Sequence, residues 1–169
     1  MTQSTFIDQI RSFTKSQSAN KKNASAVDWN ERRQVWLTQL NNLLNDIEQW
    51  LKPLCEDGTL SLERQSRHLS ERETLGDYQA VSMVIYIDGQ TIFLEPVGSI
   101  IIGAFGRVDM KGPFADFMLL LAIDDDQDLN PVIHKATWHI STRRDRRRLL
   151  PLNADTFGEA FQICLGMGE

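Results

Sequence analysis

Cysteine is scarce in this chain: Cys55 and Cys164 are the two it has, too few and too far apart for a disulfide framework or a zinc site. Long apolar runs are missing too. No stretch of the 169 residues approaches the roughly 18 apolar residues that a membrane-spanning helix needs, so no membrane association is expected. The first residues lack the order of a secretory leader, because Phe6, Ile7 and Ile10 are interleaved with Asp8, Gln9 and Arg11. These absences together predict a reduced, cytoplasmic protein of bacterial type.

Phosphate-binding glycine loops are also lacking. Gly98, Gly103 and Gly106 lie close together, but no Lys-Ser/Thr pair follows Gly103. The spacing instead suggests bulges or close strand crossings. His68, His134 and His139 have no ligand spacing, and no serine or cysteine has the sequence neighbourhood of an activated nucleophile. No catalytic residue, metal ligand or cofactor is assigned on this basis, and a binding or accessory protein is expected rather than an enzyme.

What is present speaks first about construction. Residues 16–26 (SQSANKKNASA) are small and polar and read as a linker. The chain therefore divides into a flexible basic arm over 1–27, with a short helix on Phe6, Ile10 and Phe13, and one domain over 28–169. Asp28 and Glu31 have the spacing of a helix-capping pair. Behind them Leu37, Leu40, Leu44, Ile47, Leu51 and Leu54 recur in steps of three and four, with Trp29, Trp36, Leu43 and Trp50 every seven residues beside them. That is one wide apolar face. It packs on the domain's own sheet or on a partner helix in a homodimer, and Pro53 is expected to end the helix.

Beyond the turn at Glu56–Gly58 the period changes to that of strands. Leu60 and Leu62 suggest a short strand, followed by a charged stretch through Glu73. Alternation at Val81–Ile87, the Asp88-Gly89 turn pair and the return over Thr91–Val97 mark a hairpin. Further strands are expected over Ile100–Phe105, Arg107–Met110, Phe117–Ile123 and Ile133–Ser141, with an edge strand at Leu149–Leu152. Phe117–Leu121 is apolar at every position and is expected mid-sheet, covered on both sides. Asp155 is the expected cap of a last helix bearing Phe157, Ala160, Phe161 and Cys164. The class is α+β: a long N-terminal helix on a curved, mainly antiparallel sheet of about six strands, with a C-terminal helix.

Charge is distributed unevenly. The chain's net charge is −5, yet five arginines fall within six positions, Arg143, Arg144, Arg146, Arg147 and Arg148 around Asp145. They follow a strand on which Lys135, Thr137, His139 and Ser141 share one side while Ala136, Trp138 and Ile140 share the other. Lys135, Thr137, His139 and the arginines are therefore the candidate binding residues. Arginine suits the role because its planar fork donates paired hydrogen bonds to phosphate or carboxylate. The expected partner is a macromolecule, protein or nucleic acid. The competing reading is a solvated tip that balances the acidic body through surface ion pairs of small net worth.

Asp109-Met110-Lys111 offers an alternative. An acid two positions before a lysine at the end of a strand resembles the Asp/Glu-x-Lys element of the PD-(D/E)XK nucleases. That resemblance implies a Mg²⁺ held by Asp109 and a second carboxylate, Asp88 or Glu95, with Lys111 assisting the attacking water. It covers three residues, and the family places a helix where Phe114–Ile123 here has the pattern of a strand. Asp124, Asp126 and Asp128 have the alternate spacing of a calcium loop, but Leu129 replaces the required glycine and Lys135 the closing glutamate. A third class, a dimeric chaperone or immunity-type protein, would use the acidic body and the tryptophan-bearing helix for recognition.

Overall fold

A computed structural model of the chain describes residues 7–11, 28–71, 75–99, 104–123, 135–141 and 148–167. Residues 7–11 are helical and exposed; the rest of the expected basic arm lies outside the described residues. The ordered body starts with α1 (Trp29–Glu56). Asp28 caps it, its Oδ1 accepting hydrogen bonds from the amides of Asn30 at 3.0 Å and Glu31 at 3.1 Å. Trp36, Leu40, Leu43, Leu44, Ile47 and Leu51 form its buried face, as the sequence period predicts. Pro53 does not end the helix. It costs one amide donor and crowds the preceding turn, but Leu54 and Cys55 stay partly buried against the core beyond it. The Asp57 amide still bonds the Pro53 carbonyl at 3.2 Å. Packing outweighs the local preference.

Seven strands follow where about six were expected: β1 (Leu60–Glu71), β2 (Gly76–Ile87), β3 (Gln90–Gly98), β4 (Gly106–Lys111), β5 (Asp116–Ala122), β6 (Thr137–Ser141) and β7 (Leu149–Pro151). They form one sheet in sequence order with every pair antiparallel. β1 is far longer than the Leu60–Leu62 pattern suggested. Its charged half is stabilised by a full ladder with β2 and not by burial, so its hydropathy carries no strand signal. β6 begins at Thr137, later than the expected Ile133. Of the expected strand Ile100–Phe105, 100–103 lie outside the described residues, while Ala104 makes an isolated bridge and Phe105 a bend. Asp88 and Gly89 form the two-residue turn with φ of 48° and 73°, the mirror-type geometry that suits strand twist. A last helix, α2 (Ala154–Cys164), is capped by Asn153 and not by Asp155. Asn153 Oδ1 accepts from the Asp155 and Thr156 amides, both at 3.0 Å, which leaves Asp155 in the first turn, where its charge favours the helix dipole.

The core lies between one face of the sheet and the two helices. Across that face Leu62 stands opposite Ile85, Ile85 opposite Ile92, Leu94 opposite Met110, Val108 opposite Leu119, and Leu119 opposite Ile140. Trp36 meets Trp138 with ring centroids 6.1 Å apart, and Trp50 of α1 meets Phe157 of α2 at 5.4 Å. Both helices therefore cover the same side. On β5, Phe117, Leu119 and Leu121 are buried, whereas Met118 and Leu120 point to the other side and are half-buried. The expectation of cover on both sides holds for the first set alone.

β2 pairs with β3 only over Met83–Ile87. Beyond that the β1–β2 ladder continues alone, and two-stranded ribbons twist more strongly than wide sheets. The twist reverses the roles of the two sides: Leu69, Tyr78 and Ala80 become buried while Ser66, His68 and Gln79 are exposed. The ribbon end is fastened by a polar chain. Trp36 Nε1 donates to the Tyr78 hydroxyl at 3.0 Å, Tyr78 donates to Glu71, and Glu71 Oε1 accepts from the Ser99 amide at 2.9 Å. Arg32 Nη2 donates to the Ser99 carbonyl at 3.1 Å, and its guanidinium lies 5.3 Å from the Phe105 ring centre. Burial pushes the Arg32 pKa down, with Glu71 acting in the opposite sense. Of the three glycines noted above, Gly98 sits at a β3 irregularity with φ +157°, and Gly106 admits the Trp36 ring against β4. Gly103 lies outside the described residues.

Candidate binding surface

Strand alternation places Lys111, Asp109 and Arg107 of β4 on the side away from the helices. Cross-strand register then fixes their neighbours. One row runs Glu63, Val84, Phe93, Lys111, Asp116; the next joins Glu95, Asp109, Met118 and Ser141; a third joins Arg107, Leu120, His139 and Pro151. This face is the side opposite the one on which α1 packs. It mixes apolar and charged groups, with Tyr86, Phe93 and Val97 each about two-fifths exposed (41%, 39% and 42%).

The charged groups on it are paired. Glu95 receives Lys111 Nζ at 3.0 Å and Arg67 at 3.2 Å. Burial acts to raise the Glu95 pKa, but the Lys111 hydrogen bond and the charges of Arg67 and Lys111 prevail, holding it below the usual carboxylate range. Arg107 grips Asp109, on the same side of β4, with two hydrogen bonds, Nε at 2.7 Å and Nη2 at 3.2 Å. Glu95 and Asp109 stand directly opposite each other, so two carboxylates and Lys111 do come together. Asp88 does not join them. It occupies the β2–β3 turn, seven residues from Glu95 and on the order of 20 Å away along the strand. A strand, β5, follows β4 where the nuclease family has a helix. Among the described residues no group of three or more His, Cys, Asp or Glu side chains is arranged to hold a metal ion.

The candidate residues of the basic hairpin divide into three. Lys135 is exposed just before β6, Thr137 is exposed at its start, and Arg148 is exposed at the start of β7. His139 lies on the side away from α1 as expected but is 5% exposed, and its Nδ1 donates to the Thr137 carbonyl at 2.9 Å. Ser141 is 3% exposed and its Oγ accepts the Met118 amide at 3.0 Å. These two stabilise the strand rather than offer themselves at a surface. Arg143, Arg144, Arg146 and Arg147 lie outside the described residues.

The hairpin that carries them is well anchored. Ser141, Ile140 and His139 pair with Leu149, Leu150 and Pro151, and Pro151 is harmless on an edge strand, where no further strand needs its amide. Trp138 donates from Nε1 to the Gln39 carbonyl of α1 at 3.2 Å, tying β6 to the helix layer. The acidic run 124–128 belongs to the β5–β6 connection and the arginines to the β6–β7 connection, so the two segments attach at opposite ends of β6. Those ends are on the order of 13 Å apart at ~3.3 Å per residue. Sequence reasoning singled out Glu95, Asp109 and Lys111 but not Arg67, Phe93 or Tyr86, which only the register brings together.

No protein-family model, curated protein or solved structure matches this chain.

Proposed function

We propose that this is a non-catalytic binding protein that meets an anionic macromolecule, best fitted by nucleic acid, through the basic hairpin Lys135–Arg148. The observation that carries this reading is the anchoring of the hairpin. Both its strands belong to the sheet, and Trp138 fixes it to α1. A connection tethered at both ends to paired strands has less freedom to lose on binding than a tail, and phosphate takes arginine's paired donors well. The chain's net negative charge leaves a local patch as the means of contact. The test is retention on single- and double-stranded oligonucleotides at low salt. The paired substitution Arg146→Glu with Arg147→Glu abolishes retention. Failure of the unaltered protein to bind either oligonucleotide at low salt removes the proposal, and a protein recovered in its place from native-cell extract redirects it.

A second reading, the Mg²⁺-dependent nuclease, draws on one specific observation, the juxtaposition of Glu95, Asp109 and Lys111. Against it stands the engagement of both carboxylates by Arg67, Lys111 and Arg107. Its test is Mg²⁺-dependent cleavage that disappears in Asp109→Ala.

A further inference from the structure

Among the described residues β1 is an edge strand of 12 residues with β2 on one side and no strand on the other. Its segment Glu63–His68 is exposed throughout. The usual guards of a long edge are charged side chains (lysine above all), a proline, a bulge or a covering element. β1 carries charges of both signs at Glu63, Arg64 and Arg67, which oppose a strand placed in the wrong register and attract one placed in the right one. β1 has no proline and no lysine, and its ladder with β2 runs without a register shift.

The register of the ladder determines which backbone groups face outward. The two-residue turn at Asp88-Gly89 makes Ile87 and Gln90 a hydrogen-bonded pair, so Ile87 directs its amide and carbonyl toward β3. Alternation then gives Tyr86, Val84 and Ser82 to β1, opposite Ser61, Glu63 and Gln65. The Ser82 hydroxyl donating to the Gln65 carbonyl at 3.3 Å agrees with this orientation. The amides and carbonyls that point outward are therefore those of Leu62, Arg64, Ser66, His68 and Ser70.

We infer that a second copy of this chain pairs with β1 in antiparallel fashion, with Gln65 on the two-fold axis, to form a continuous sheet across two protomers. Charge selects the register. Because even-numbered residues carry the outward groups, antiparallel self-pairing joins even positions to even ones. Centring on Glu63, Arg64 or Arg67 sets that residue against its own copy, and centring on Ser66 sets Arg64 against His68. Centring on Gln65 sets Glu63 opposite Arg67 twice, once on each side of the axis, with no like charges facing. Those are non-hydrogen-bonded positions, where side chains approach most closely. In the single chain Glu63 accepts from the Tyr86 hydroxyl at 2.9 Å and Arg67 reaches Glu95, so both are already held on one side of the strand.

The experiment is oxidative cross-linking of the full chain with a cysteine placed at the axis. Gln65→Cys sets two thiols opposite each other, about 4.5 Å apart between Cα atoms, within the reach of a disulfide. Ser61→Cys stands opposite Leu69 of the other copy, leaving its own counterpart about 26 Å away at ~3.3 Å per residue. Gln65→Cys is expected to give a rapid covalent dimer, whereas Ser61→Cys behaves like the unaltered protein, with Cys55 and Cys164 common to all three. Sedimentation of the unaltered chain is expected to give twice 19.3 kDa. Glu63→Lys, which leaves the Arg67–Glu95 pair in place, is expected to weaken the dimer at least about tenfold by replacing two attractive contacts with repulsive ones. A monomer mass at high micromolar concentration overturns the inference. So does cross-linking of Gln65→Cys no faster than of Ser61→Cys.

Discussion

Trp36 lies so close to the backbone of Gly106 that a Cβ there would meet its Cζ3 at 2.3 Å. The indole is fully buried, bonded to Tyr78 and packed near Trp138, so it has no room to withdraw. Gly106→Ala is expected to destabilise the fold by about 2–3 kcal/mol through overpacking, read as a lower urea midpoint with an unchanged slope.

Tyr78 gives an alkaline prediction. Burial foremost, then the hydrogen bond and charge of Glu71, raise its pKa well above the ordinary tyrosine value. A raised folded pKa means that the contribution is complete below the unfolded value, about pH 10, and is lost as pH climbs through the folded one. Stability measured by denaturant unfolding is expected to decline above that point. Tyr78→Phe is expected to cost about 1–3 kcal/mol at neutral pH, because Trp36 Nε1 and Glu71 each lose a partner, and to flatten the alkaline decline.

Glu95 gives the acidic counterpart. Its pKa is held down by Lys111 and Arg67 in spite of burial. A depressed folded pKa contributes stability above the unfolded value, about 4.3, and loses it as pH falls through the folded one. Glu95→Gln is expected to be less stable than the unaltered protein at neutral pH, with the difference closing as the pH drops below that range. A constant difference across the acid titration would assign the effect to packing instead.

For the arginine hairpin the salt dependence carries the information. Affinity for an oligonucleotide is expected to fall linearly on a log–log plot against salt, with a slope near −0.9 for each phosphate contacted on duplex and about −0.7 on single strands. Replacing Arg148 alone is expected to reduce that slope by about one contact. A salt-independent affinity would mean that the partner is recognised by something other than its charge.

Much of the architecture could be read in the sequence because local patterns agree with the final packing. The α1 stripe, the Asp88-Gly89 turn and the alternation of β2 and β3 each say in a few residues what the fold then does. The misreadings have physical causes. Pro53 is a preference overruled by the burial of its neighbours, and Asn153 competes with Asp155 for one cap. The charged half of β1 is a strand only because β2 supplies a complete ladder beside it. On the candidate surface, the alternation of β6 gave the right side for His139 but not its burial, which depends on surrounding elements. The pairing of Glu95 with Arg67 and Lys111, and the chain from Trp36 through Tyr78 and Glu71 to Ser99, join residues well separated in sequence. No spacing rule encodes them; they appear once three strand registers are known.

The strictly sequential order of the seven strands has a kinetic consequence. Each strand finds its partner next along the chain, so assembly can zip outward from the tight Asp88-Gly89 turn with small loop-closure costs at most steps. β-Sheets that need distant strands to meet first fold slowly for that reason. Here the long-range step is the docking of α1, whose Trp36 packs against Trp138 of β6, far along the chain. That final clasp, more than the pairing of strands, is where the folding barrier is expected to lie.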